Sequence, residues 1–314
     1  MLLLLTLTLL ILPSQSFLSS SPPSHLFKST YRSPVVLKSS STDSLAKTGR
    51  NKFIVTQGDD KLMFDVYRPN DKDTGECVLY LPCLSRAKNN AKASNLETFC
   101  RRTNRSFLCA DYYGVGRSDG SWGEGNLSRW KEDSIRLMEQ VMPGRKFVLV
   151  GAGVGGWIAH LIALTSPELV AGVVGLAADP DFTEDLLWAT LSDSDKDSIM
   201  ENGVHEIQWG DVSYPISRSL IEDGRENLIL RKGKGGLKIT CPVRLLHGMS
   251  DEEVPYQTAL TLADTISGDD VVVTLSKYGK HQLDEEEDFA RMREAVDDVF
   301  GSVLSYDLRS PASG

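Results

Sequence analysis

The chain lacks the features by which several function classes are recognised. None of its five cysteines, Cys77, Cys83, Cys100, Cys109 and Cys241, stands in a C-x-x-C pair. The spacing of a zinc or redox site is therefore missing, and burial as small hydrophobic side chains is the expected role. Basic residues are in deficit, with 34 Lys and Arg against 43 Asp and Glu, for a formal net charge of -9. An acidic surface repels a phosphate backbone, which argues against a nucleic-acid partner. Beyond the N-terminal segment no apolar run approaches the roughly 20 residues that cross a bilayer, so a mature form without a spanning helix is expected. No internal repeat is found. What remains is 314 residues, 41% of them hydrophobic, enough for one large globular domain.

The first fifty residues differ in composition from the rest. An apolar run over 2–12, too short to span a membrane, is followed by Ser14, Gln15 and Ser16, which suits a cleaved signal peptide over 1–16 although a basic start is missing. Residues 17–50 are crowded with serine, carry Lys28, Arg32, Lys38, Lys47 and Arg50, and have Asp43 as their one acid. That is the composition of an organellar transit peptide. The pair resembles a bipartite plastid leader, and the alternatives are a signal peptide with a plain linker for the secretory pathway, or a mitochondrial address. A domain over 51–302 and a tail over 303–314 follow from this division.

Within the domain, apolar segments around the turn-rich stretch 57–60 read as a hairpin. Strand candidates come next at 77–81, 106–111, 146–151, 170–176, 242–247 and 271–276. Helical stretches such as 128–140 and 256–265 lie between them. Alternating strand and helix predicts a mostly parallel sheet of eight strands covered on both faces. Residues 178–236 offer no core strand and carry Trp188, Trp209 and Tyr214, which reads as a lid inserted over the site.

The centre of the chain is the stretch from Phe147 to Trp157, a β-branched run, a glycine cluster and a helix-like segment. Two chemistries use such a frame. Gly151, Gly153 and Gly156 spell G-x-G-x-x-G, in which glycines let a dinucleotide pyrophosphate approach a helix N-terminus, with Asp179 as the acid about twenty residues on. The other is the nucleophile elbow G-x-S-x-G, which fails at its central letter because Gly153 occupies the serine position. A dinucleotide loop normally follows the first strand of its domain, and here four strand candidates precede it. The elbow reading instead finds its partners in chain order. Asp251 follows a strand in the frame Gly248, Asp251, Val254, Pro255, where a triad acid belongs, and His281 sits in the loop after the last strand, where a neutral ring could take a proton near pH 7. The other histidines, His25, His160, His205 and His247, are expected to be structural. The oxyanion hole is expected at the backbone N–H of Val154 and in the Cys83–Leu84 loop, and the glycine-rich turn from Asp111 to Gly120 is expected to be scaffold.

These segments together, over roughly residues 60–300, resemble the α/β-hydrolase-domain serine esterases. The resemblance implies an α/β-hydrolase fold and hydrolysis of carboxylic esters or thioesters through an acyl-serine, with neither metal nor cofactor. The ligand would be a small acyl ester or thioester, free or carried on an acylated protein. Two positions depart from the pattern: Gly153 replaces the serine, and Cys83 stands where the oxyanion loop usually has glycine. Without an Oγ at 153 the acyl-serine cannot form, so an impaired or inactive protein is expected, and Gly153→Ser is expected to restore turnover. The alternatives are an active enzyme that uses a water or Cys83, or a nucleotide-binding module. Ser85 and Ser250 lie off the elbow and are poor substitutes.

Overall fold

In the computed structural model the described residues are 45, 47–69, 73–209 and 212–309. Most of the expected leader lies outside them. Its boundary moves, because the first strand, β1, covers Gly49–Val55, and Arg50 already pairs with Asp65 and Glu97 of the domain.

Strand β2, Lys61–Tyr67, pairs antiparallel with β1, the hairpin expected from sequence, closed by a short 3-10 turn over Gln57–Asp59. Then come β3 (Cys77–Leu81), helix α1 (Ala91–Arg102), β4 (Ser106–Ala110), α2 (Leu127–Val141), β5 (Phe147–Ala152), α3 (Val154–Thr165) and β6 (Val170–Leu176). An insertion holds a π-helical turn (Thr183–Trp188), α4 (Asp193–Asn202), the strands β7 (Val204–Trp209) and β8 (Val212–Ser217), and α5 (Arg218–Glu226). The chain closes with β9 (Val243–Gly248), α6 (Gln257–Thr265), β10 (Val271–Ser276) and α7 (Glu286–Arg309). The tail expected from 303 thus begins inside α7.

Eight strands form one sheet in the order β1-β2-β4-β3-β5-β6-β9-β10, antiparallel from β1 through β4 and parallel from there on. Alternation along the central strand shows why both faces need cover. Phe147 and Leu149 pack with residues of α2, α3 and α6, whereas Val148 and Val150 pack with residues of α1 and α7. Strands buried on both faces read as near-continuous apolar runs, which is why they stood out in the sequence. Asparagine caps fix the starts of two helices: Asn90 accepts from Ala93 N at 3.0 Å and Asn126 from Arg129 N at 2.9 Å.

The insertion contains no strand of the main sheet, as expected, but β7 and β8 form a separate two-stranded sheet that the sequence did not suggest. It is tied to the domain at Trp122 Nε1, which donates to Pro215 O at 2.8 Å, and at Tyr214, whose hydroxyl donates to Glu253 Oε2 at 3.0 Å. The turn after β4 is scaffold as expected. Asp111 accepts from the N–H groups of Lys88 and Arg117, and Ser118 accepts from Met63 N, so the turn stitches β2 to the segment after β3.

Candidate active site at the sheet's carboxyl edge

Gly153 joins β5 to α3 with φ 51° and ψ -121°, a backbone conformation that glycine adopts readily and a side chain adopts with strain. The neighbouring glycines are explained by close approach of protein to protein. A Cβ on Gly151 would lie 2.2 Å from Gly155 O, one on Gly155 would lie 2.1 Å from Leu81 O, and one on Gly156 would lie 2.5 Å from Ala178 Cβ. Helix α3 therefore starts hard against the end of β3 and the segment after β6. The G-x-G-x-x-G spacing is accounted for by this packing of protein against protein.

Asp251 and His281 come together across the ends of β9 and β10. His281 Nδ1 donates to Asp251 Oδ2 at 2.9 Å. The second carboxylate oxygen accepts the backbone N–H groups of Glu253 at 2.9 Å and Val254 at 2.8 Å. His247, placed among the structural histidines, braces the same group: its Nε2 lies 3.0 Å from both Asp251 Oδ2 and Val254 O, and because both are acceptors this nitrogen carries the proton. Burial opposes ionisation of Asp251, but the hydrogen bonds from the two histidines and from backbone outweigh it and hold the carboxyl well below its usual range. For His281 burial favours the neutral ring, yet the bond to Asp251 and the nearby Cys83 side chain raise it well above the ordinary imidazole value.

The space over Gly153 is filled. A Cβ built there would lie 2.5 Å from Cys83 Sγ and 3.4 Å from Asp179 Oδ2. Cys83 is partly exposed, whereas Asp179 is buried and its Oδ1 has no hydrogen-bond partner among the described residues. Burial, reinforced by the nearby Asp251 and Glu253 and countered by His281, pushes the Asp179 carboxyl up to about 7. A cavity of about 420 Å³ opens onto the group, lined in part by Tyr80, Cys83, Asn90, Ala152, Glu253 and His281.

No protein-family model matches the chain. Its sequence is 31% identical to the mitochondrial palmitoyl-protein thioesterase ABHD10 of Mus musculus over 229 residues, which span 71% of this chain and 74% of that protein. Its fold superposes on a putative hydrolase from Agrobacterium vitis S4 with a TM-score of 0.73 and 32% identity, covering 81% of this chain and 98% of that one. For the alpha/beta hydrolase domain-containing protein 10 from mouse the TM-score is 0.71 at 28% identity, with 80% of this chain and 98% of the other covered. The chain belongs to the α/β-hydrolase esterase family.

In this α/β hydrolase the remaining sequence-derived residues fall as follows. Val154 opens α3, where N–H groups have no intrahelical acceptor, and Leu84 is buried beside Cys83 in a loop held by Arg86 N donating to Cys83 O at 3.1 Å and by the Tyr112 hydroxyl donating to Pro82 O at 3.1 Å. Ser250 donates to Lys277 O at 3.2 Å. His160 is fully buried in α3 and pushed down to about 4 by desolvation, and His205 pairs with Asp195 in the insertion. His25 lies outside the described residues. Sequence reasoning missed Asp179 as a site carboxyl, because an Asp beside Pro180 has the look of an ordinary loop. It also missed Glu253, whose Oε2 stands 3.8 Å from His281 Nε2.

Proposed function

We propose that the protein hydrolyses acyl thioesters and carboxylic esters at the cavity beside His281, without an acyl-serine. The observation that carries this reading is the 2.9 Å bond between His281 Nδ1 and Asp251 Oδ2. It turns Nδ1 to the acid and leaves Nε2 as the edge of the ring that exchanges a proton with the reacting groups. The relatives named as palmitoyl-protein thioesterases support an acyl thioester as the substrate class. Because Gly153 has no side chain, the attacking group comes from elsewhere in the site.

The test is steady-state hydrolysis of a medium-chain acyl thioester and the matching p-nitrophenyl ester by the full chain and its His281→Ala variant. Loss of the base is expected to lower turnover by roughly 10²-fold or more, the usual contribution of a positioned general base. Equal rates in the two proteins would remove the site from consideration.

An organellar address is part of the same proposal. The similar thioesterases carry the word mitochondrial in their names, while the leader composition of this chain favours plastid import. Import of a reporter fused to residues 1–50 into isolated plastids, and its exclusion from mitochondria, is the expected result.

A further inference from the structure

We propose that the nucleophile has moved from the elbow to the oxyanion loop, and that Cys83 Sγ carries the acyl group during turnover. The inference rests on the acyl-hydrolase reading above and names the attacking atom.

Three independent features of the site converge on this sulfur. The first is volume: Sγ lies 2.5 Å, and Cys83 Cβ 3.6 Å, from the point where a side chain at residue 153 would begin. The thiol therefore stands in the space that a residue on the elbow would project into, at the mouth of the cavity. The second is its setting, for Cys83 and His281 line the same cavity and Asp251 holds the Nδ1 edge of the ring. Thiol, histidine and orienting acid thus meet at one place, the set of groups that activates serine and cysteine nucleophiles alike. The third is the Asp179 carboxyl on the far side of the same space, buried with Oδ1 unpartnered. Its other oxygen, Oδ2, lies 3.4 Å from the point where a side chain at 153 would begin; a buried polar atom normally finds a partner, so this half-paired carboxyl at the same point suits a polar ligand.

The other cysteines offer no such setting. Cys77, Cys100 and Cys109 are buried within the two halves of the core, where desolvation raises all three thiols. Cys241 lies just before β9, at the opposite end of the strands from His281, and burial pushes it up to about 11.

The chemistry balances without any further reagent. With the Cys83 proton already held on His281, Sγ attacks the acyl carbon, the carbonyl oxygen becomes the oxyanion, and collapse expels the thiol or alcohol, which leaves with the proton from His281. Water then gives a proton to the same nitrogen, attacks the S-acyl carbon, and releases the carboxylic acid as Sγ leaves, the proton staying on His281. Net, one water cleaves one acyl bond. Starting from a thioester, the first half exchanges one thioester for another at little cost. Starting from an oxygen ester it must raise the acyl group in energy. Thioesters are therefore the preferred substrates.

The test is rapid acid quench of the full chain with an S-octanoyl thioester, followed by peptide mass analysis. The expected result is an octanoyl group on the Cys83 peptide and on none of the other four cysteines, absent from His281→Ala, together with faster turnover of the thioester than of the matching oxygen ester. Cys83→Ala is expected to fall by roughly 10³-fold or more, as loss of a nucleophile does. The adduct is read on the unmodified protein, so the test does not depend on the folding of a variant. Hydrolysis by wild type with no Cys83 adduct, and equal rates in Cys83→Ala, would overturn the inference and leave the hydrolase reading standing with a water as attacker. No hydrolysis and no adduct would overturn both.

Discussion

The double variant Gly153→Ser with Cys83→Gly is expected to hydrolyse esters and thioesters at least roughly 10³-fold faster than either single variant, the scale of losses and gains seen when a triad nucleophile is removed or present. Neither change alone is expected to raise turnover. A serine Cβ at 153 would lie 2.5 Å from Cys83 Sγ, well inside contact distance, so Gly153→Ser places its hydroxyl in occupied space. The expectation from sequence, under which the serine alone restores turnover, is the competing outcome. Cys83→Gly alone clears the space and leaves no nucleophile. Together they rebuild a serine on the turn facing His281 and Asp251. Holding a side chain at φ 51° and ψ -121° strains the backbone by about 1 to 3 kcal/mol, so the double variant is also expected to unfold at lower urea. Steady-state kinetics of all four proteins decide the matter. A single Gly153→Ser variant as active as the double would show that Cys83 does not obstruct the elbow, and an inert but folded double variant would show that the acid and histidine cannot serve a serine.

Asp179 is expected to make the protein less stable as pH rises through the weakly acidic range. Its carboxyl titrates near 3.8 when the chain is unfolded and at about 7 in the folded protein. Between those values the native state holds a proton that the unfolded state has lost, so stability falls with increasing pH from about 4 and levels off above about 7. For a single group shifted by that much the loss is about 4 kcal/mol, roughly a thousandfold in the folding equilibrium. Asp179→Asn keeps the shape and cannot ionise, and its stability is expected to lack this decline. Urea unfolding at pH 4.5, 6 and 8 makes the comparison. If the two proteins follow parallel curves, the carboxyl is not the buried, high-pKa group described.

The parts of the molecule that could be read from sequence are those in which one residue type has one mechanical use. Runs such as Phe147 to Val150 were legible as strands buried on both faces because they are short, carry β-branched valines and end at glycine. Asp251 and His281 were legible because they follow strands in a fixed order, and that order survives whatever the loops do. Contacts across loops were not legible. Whether Cys83 points into the core or into the cavity depends on how the loop after β3 is held by Tyr112 and Arg86, and neither partner is visible from the letters around Cys83. Asp179 was weighed as a ribose anchor, and its actual place beside residue 153 depends on α3 pressing against Ala178. Chain boundaries failed for a related reason. Arg50 reads as one more basic residue of a leader until Asp65 and Glu97 are seen opposite it.

The bracing of Asp251 has a consequence for how such a site can change. Every group that holds the carboxylate, His247, His281 and the N–H groups of Glu253 and Val254, belongs to the last quarter of the chain. None belongs to the elbow. The acid and base form a module that stays assembled whatever residue faces it, so the attacking atom is an interchangeable part. A lineage can lose one nucleophile and adopt another from the opposite wall without first dismantling the machinery that serves it.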